Sequence, residues 1–197
     1  MSDTARPAEG GLASPTAPAP SRFRREVEPR TRWLPCHQKR AGLGVWAANR
    51  SYQARTRIKA WKRSAPFDLT ELAGFAAAVA DLIRAWSPIV PSGTVVTVPP
   101  QGASAPGPYA AEALGRAVAD ILGVPFAEAL GRTEAKRWHG PHHALRQAPF
   151  VCTLPDPVPT MVLIVDDLVT SGRTMRLSVE AIRAAGVAAF GFGFSGV

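Results

Sequence analysis

The chain has 197 residues, 46% of them hydrophobic and 19% charged, and a formal net charge of +8. That length suits one ordinary domain with an added tail, and no segment reaches the roughly 20 consecutive apolar residues of a membrane helix. Two cysteines, Cys36 and Cys152, stand far apart and argue for neither a disulfide framework nor a zinc site. The first residues lack the apolar core of a secretory signal, and Asp3 and Glu9 are foreign to a transit peptide, so a cytoplasmic protein is expected.

The charge is uneven. Residues 1–63 hold 14 of the 23 Lys and Arg but 4 of the 15 Asp and Glu. Residues 1–30, rich in Pro, Ala, Ser and Arg without a period, read as a disordered basic tail. Residues 31–66 read as a basic aromatic segment, a hood or docking element, with Trp33, Trp46, Tyr52 and Trp61 among Arg50, Arg55, Arg57, Lys59 and Lys62. Within it, 51–63 reads as a basic helix or edge element anchored by Tyr52, Ile58 and Trp61. Such a segment attracts phosphates and can contact nucleic acid. Aromatics set beside basic side chains are more often core anchors, and that is the preferred reading.

Residues 67–197 read as an α/β domain. A helix over 68–86 is capped by Asp68 or Thr70 and keeps the helical period through Leu72, Phe75, Ala76, Val79, Leu82, Ile83 and Trp86. The β-branched run 94–98 predicts a strand, stopped by Pro99-Pro100. A loop over 101–108 leads to a helix over about 109–122 that ends at Gly123. Residues 124–130 are either a strand or a connection, and 132–149, basic and rich in histidine, is a long loop. The run Met161-Val162-Leu163-Ile164-Val165 predicts a buried strand, 174–185 a helix, and 187–194 a last strand. Strands alternating with helices imply parallel pairing, and such sheets bind ligands at the carboxyl ends of their strands. Pro99-Pro100 and Asp166-Asp167 both fall at predicted strand ends.

Two adjacent carboxylates repel and need a positive or hydroxyl-rich partner. After Asp166 and Asp167 come Leu168, Val169 and then Thr170-Ser171-Gly172-Arg173-Thr174, a small hydroxylated turn before a helix. A phosphate there gains backbone N–H donors and the positive end of the helix dipole. The turn is neither a Walker loop nor a dinucleotide fingerprint, because both glycine patterns are missing. Acids followed by a phosphate loop suit a sugar phosphate, with the carboxylates accepting hydrogen bonds from two ribose hydroxyls.

The stretch VLIVDDLVTSGRT resembles the phosphoribosyl-pyrophosphate (PRPP) motif of type I phosphoribosyltransferases. Within that superfamily the layout is similar to the competence-associated ComF type. The similarity rests on Tyr52, Ile58, Lys59 and Lys62 before the first helix, on PYAAEALGRAVADILGVP, and on Leu145-Arg146 before the motif strand. The resemblance covers about residues 50–197. It departs from the pattern at Cys36, which stands beside His37 with no cysteine zinc module, so no zinc is expected. It departs again at 106–111, where the family's Arg-Gly-Phe-Asn-Gln segment is replaced and its Arg, Asn and Gln are lost.

The resemblance implies the type I parallel-sheet fold with helices on both faces. It implies that Asp166 and Asp167 hold the ribose hydroxyls, within a PRPP site of Asp166, Asp167, Leu168, Val169, Thr170, Ser171, Gly172, Arg173 and Thr174. Pro99, Pro100, Gln101 and Gly102 match the pyrophosphate loop, and a cis Pro99-Pro100 bond is compatible with that role. Lys136 and Arg137 join the acids as catalytic residues, in a basic loop that also carries His139, His142, His143 and Arg146. The implied reaction displaces pyrophosphate from PRPP with a nitrogenous base or related acceptor, and Mg²⁺ is held through PRPP rather than by an assigned protein ligand. The alternative is a non-catalytic binder of PRPP or a nucleoside monophosphate whose basic N-terminal third contacts nucleic acid or a protein. A homodimer is compatible with either, and a membrane partner with neither.

Overall fold

The computed structural model describes residues 33–35, 44–49, 51–64, 66–101, 108–132 and 150–196. The tail over 1–30 and the loop over 133–149 lie outside the described residues.

The apolar run at 161–165 is the middle of the sheet. Met161, Leu163 and Val165 join one buried cluster, while Val162 and Ile164 join another. A strand sends successive side chains to opposite faces, so a continuous apolar run is what burial on both sides requires. This strand, β6 (Met161–Val169), lies between β7 (Ala188–Gly196) and β3 (Thr94–Thr97) and is parallel to both. Beyond β7 come β2 (Gly44–Asn49), also parallel, and β1 (Trp33–Pro35), antiparallel, giving the order β1-β2-β7-β6-β3. Phe126 adds a parallel bridge to Val96 on the outer side of β3. A separate antiparallel pair joins β4 (Leu130–Arg132) to β5 (Phe150–Cys152).

Three helices cover the first face: α1 (Tyr52–Trp61), α2 (Leu69–Trp86) and α3 (Ala110–Leu122). A fourth, α4 (Arg173–Ala184), covers the other through Met175, Val179 and Ile182. The expected α/β class, with a mainly parallel sheet and helices on both faces, is therefore the architecture present. Asp68 caps α2 by accepting from the backbone N–H groups of Thr70 and Glu71 at 2.8 and 3.0 Å. An Arg57–Glu71 ion pair ties α1 to α2.

Three differences from the sequence expectation matter. First, β6 does not stop at the acids but runs on to Val169, because backbone pairing with β7 continues through Asp166↔Gly193 and Leu168↔Ser195. Second, residues 44–49 form a strand that pairs with β7, and Ala48, Ile58 and Trp61 share a core cluster with Phe75 and Phe194. The described part of 31–66 thus contributes to the central sheet and its core. Third, Tyr52 is no anchor: it is 81% exposed at the start of α1, while Ile58 and Trp61 are buried. The cis peptide bond among the described residues is Asp156-Pro157, so Pro99-Pro100 is trans.

Helix α3 approaches the end of β3 closely at Gly115. A Cβ there would lie 2.6 Å from Val98 Cγ1 and 3.0 Å from Phe126 Cε2. Gly115→Ala is expected to lower stability by about 1–3 kcal/mol through overpacking, measured by urea unfolding. An unchanged midpoint would mean that the α3–β3 contact relaxes freely.

Candidate functional site

Strands β3 and β6 run parallel with Thr97 opposite Ile164. Their carboxyl ends therefore emerge at one edge, where a parallel sheet leaves room for a ligand. Carrying the register forward sets Pro99 near Asp166. Tyr109, at the start of α3, closes this corner: its hydroxyl donates to the Pro99 carbonyl at 2.8 Å. From β4, Arg132 reaches the Pro100 carbonyl at 3.5 Å. Burial, and then the charges of Asp166 and Asp167, push the Tyr109 phenol well above its ordinary range, so it stays a hydrogen-bond donor.

The two acids have different surroundings. Asp167 is 2% exposed, and the Lys62 ammonium at the end of α1 donates to its Oδ1 at 2.9 Å and lies 2.8 Å from its Oδ2. One cation thus pairs with the carboxylate, hydrogen-bonding its Oδ1, while the buried Oδ2 has no hydrogen-bond partner among the described residues. Asp166 is half-buried and turned along the strand, its Oδ1 accepting from the Asp167 backbone N–H at 2.8 Å. Loss of hydration and then the Asp167 charge push its carboxyl up to about 7; Lys62 and the backbone N–H groups of Asp167 and Leu168 pull the other way. Near neutral pH this carboxyl is poised to gain from any ligand that donates hydrogen bonds to its ionised form.

Beyond Val169 the chain turns through Thr170, Ser171 and Gly172 into α4. Gly172 takes φ +70°, a left-handed conformation that favours glycine. As N-cap it offers no side chain, and the first turn of α4 holds no acid. By contrast, Ser51 and Asp68 cap α1 and α2. The N-cap itself supplies no side chain at the positive end of α4; the exposed Ser171 hydroxyl beside it accepts from the Arg173 backbone N–H at 3.4 Å, next to exposed Thr170. Met175 and Val179 hold this helix against the sheet, which fixes the turn relative to Asp166.

Of the residues singled out from the sequence, the fold brings together Asp166, Asp167, 168–174 and Pro99-Pro100-Gln101. Gly102, Lys136, Arg137, His139, His142, His143 and Arg146 lie outside the described residues, as do Cys36 and His37. Sequence reasoning gave no site role to Lys62, Tyr109 or Arg132. For Lys62 a signal existed: it follows Ile58 by four places, one turn of the same helix. For Arg132 there was none, since its place depends on β4 pairing with β5.

Among the described residues no group of three or more His, Cys, Asp or Glu could hold a metal ion, and no helix is long and apolar enough to cross a membrane. A cavity of about 470 Å³ opens among Val95, Leu122, Phe126 and Pro159, at the amino end of β3 and away from the acids.

No protein-family model matches the chain, and no curated protein matches it. Among solved structures it is similar to the adenine phosphoribosyltransferase of Leishmania tarentolae, at 14% identity and a TM-score of 0.41, over 89% of this chain and 87% of that one.

Proposed function

We propose that the chain binds PRPP at the edge formed by β3, β6 and the turn into α4, and transfers the phosphoribosyl group to a nitrogenous base. The observation that carries this reading is one continuous unit, β6–turn–α4. It offers the poised Asp166 carboxyl and, a few residues on, the start of a helix whose N-cap is a glycine. Backbone N–H groups and the hydroxyls of Thr170, Ser171 and Thr174 would hold the 5′-phosphate. The diol would donate to carboxylate, and the diphosphate would lie toward Pro99-Pro100-Gln101.

In the reaction the C1–O bond to the diphosphate breaks as a base nitrogen forms the C1–N bond, and the nitrogen's proton leaves to solvent or a nearby base. The leaving group is highly charged, so catalysis consists mainly of positioning and charge neutralisation. The described residues form no cage for Mg²⁺. The cation would arrive on the diphosphate oxygens, and no step is assigned through it. Lys136 and Arg137 remain the proposed catalytic cations.

A second reading, a ComF-like protein that binds PRPP or a nucleotide without turnover, is favoured by the altered segment 106–111, which lacks the family's Arg, Asn and Gln. In that reading the basic residues 1–63 contact nucleic acid or a protein partner. A pyrophosphate-release assay across purine and pyrimidine bases separates the two. Transfer predicts PRPP-dependent release with at least one base. Saturable PRPP binding without release from any base would favour the binder.

A further inference from the structure

The two acids do not have equal access to a ligand. Lys62 hydrogen-bonds Oδ1 of Asp167 and forms an ion pair with the carboxylate, whose side chain is 3% exposed while that of Lys62 is 38% exposed; the buried Oδ2 makes no hydrogen bond among the described residues. The lysine is not free to wander, because α1 is fixed on the sheet by Ile58 and Trp61. The Trp61 Nε1–H donates to the Asp68 carbonyl at 3.1 Å, and its ring packs against Phe67 and Phe75. A ligand hydroxyl would have to enter a buried ion pair to reach Asp167, competing with an ammonium ion for the carboxylate.

We infer that Lys62 is the positioning residue of this site: it commits Asp167 to helix α1 and leaves Asp166 as the single carboxylate offered to a ligand diol. This rests on the phosphoribosyl reading above and goes beyond it in dividing the labour between the acids. The division has an electrostatic use. Two free carboxylates would repel a multiply phosphorylated sugar, whereas Lys62 reduces the formal charge of the trio from minus two to minus one. The groups facing Asp166 are Asp167 on its own strand, Lys62 from α1 and Tyr109 from the start of α3; on β7 it lies opposite Gly193, which has no side chain.

The test is a cycle of Lys62→Met, Asp167→Asn and the double variant, read by PRPP·Mg²⁺ calorimetry and by carboxyl NMR titration without ligand. Lys62→Met is expected to weaken PRPP binding about tenfold or more and to move the Asp166 titration upward. The double variant is expected to return both toward wild type, with affinity within about threefold. Asp167→Asn alone is expected to lose less PRPP affinity than Asp166→Asn and to move the Asp166 titration downward. It carries the test if Lys62→Met does not fold.

A merely structural lysine would lower stability without moving the Asp166 titration, and that result overturns the inference. So does an Asp167→Asn variant that loses PRPP as completely as Asp166→Asn does. A folded wild type that ignores PRPP overturns the phosphoribosyl reading and the diol assignment with it. The titration cycle then still decides whether Lys62 governs the acid pair.

Discussion

Trp61→Ala is expected to cost about 3–5 kcal/mol of stability, the largest single loss among the site's supports. The side chain is 3% exposed and packs with Phe67 at 4.6 Å and Phe75 at 5.4 Å between ring centres. Removing it leaves a cavity beneath α1 and strips the Asp68 carbonyl of its indole donor. Because Lys62 follows Trp61 directly, the same change loosens the cation on Asp167, so PRPP affinity should fall with stability. Tyr52→Ala, on the same helix but 81% exposed, should stay within about 0.5 kcal/mol of wild type. Urea unfolding followed by far-ultraviolet circular dichroism measures both. Equal effects of the two changes would mean that α1 is not seated through Trp61.

Asp166→Asn should do the opposite to stability while weakening binding. In the folded protein the carboxyl binds its proton more tightly than in the unfolded chain, where its pKa is about 3.9; folding raises it to about 7. A raised acid contributes most when protonated, so its contribution falls as pH climbs from about 4 to about 7 and stays low above that. Asparagine has no charge to bury. The variant should therefore be more stable than wild type by roughly 1–2 kcal/mol at pH 8, with the difference shrinking toward pH 4. Losing a charged acceptor for two hydroxyls should weaken PRPP binding about a hundredfold. A variant less stable than wild type at pH 8 would mean that the carboxylate is satisfied in the ligand-free protein.

Much of the fold was legible because its signals are local. The run at 161–165 could be a strand buried on both faces, and Asp68 and Gly123 marked helix ends that depend on capping and on a left-handed residue. What escaped is non-local. Strand β2 is six residues long, flanked by basic residues, and becomes a strand only by pairing with β7, almost 150 positions away in the chain. The acids read as a strand end because carboxylates rarely sit inside a buried strand. Their backbone groups nevertheless pair with β7, whose Gly193 leaves room for Val169; a Cβ at that glycine would lie 2.7 Å from Val169 Cγ2.

The site was legible in the same uneven way. Phosphate loop and acids are contiguous in sequence, so their chemistry could be read in order. The inequality of the two acids could not, because it depends on a lysine 105 positions earlier. Tyr109 stands where the resemblance loses a polar residue. The fold shows it as a half-buried donor closing the corner between Pro99 and the acids.

The most direct test of the central claim is calorimetric titration of PRPP with Mg²⁺ into wild type and Asp166→Asn at pH 8. Saturable binding by wild type, weakened about a hundredfold in a variant that is folded and no less stable, is the predicted result. No binding by a folded wild type, or equal binding by both proteins, would contradict the assignment of this edge as a phosphoribosyl site.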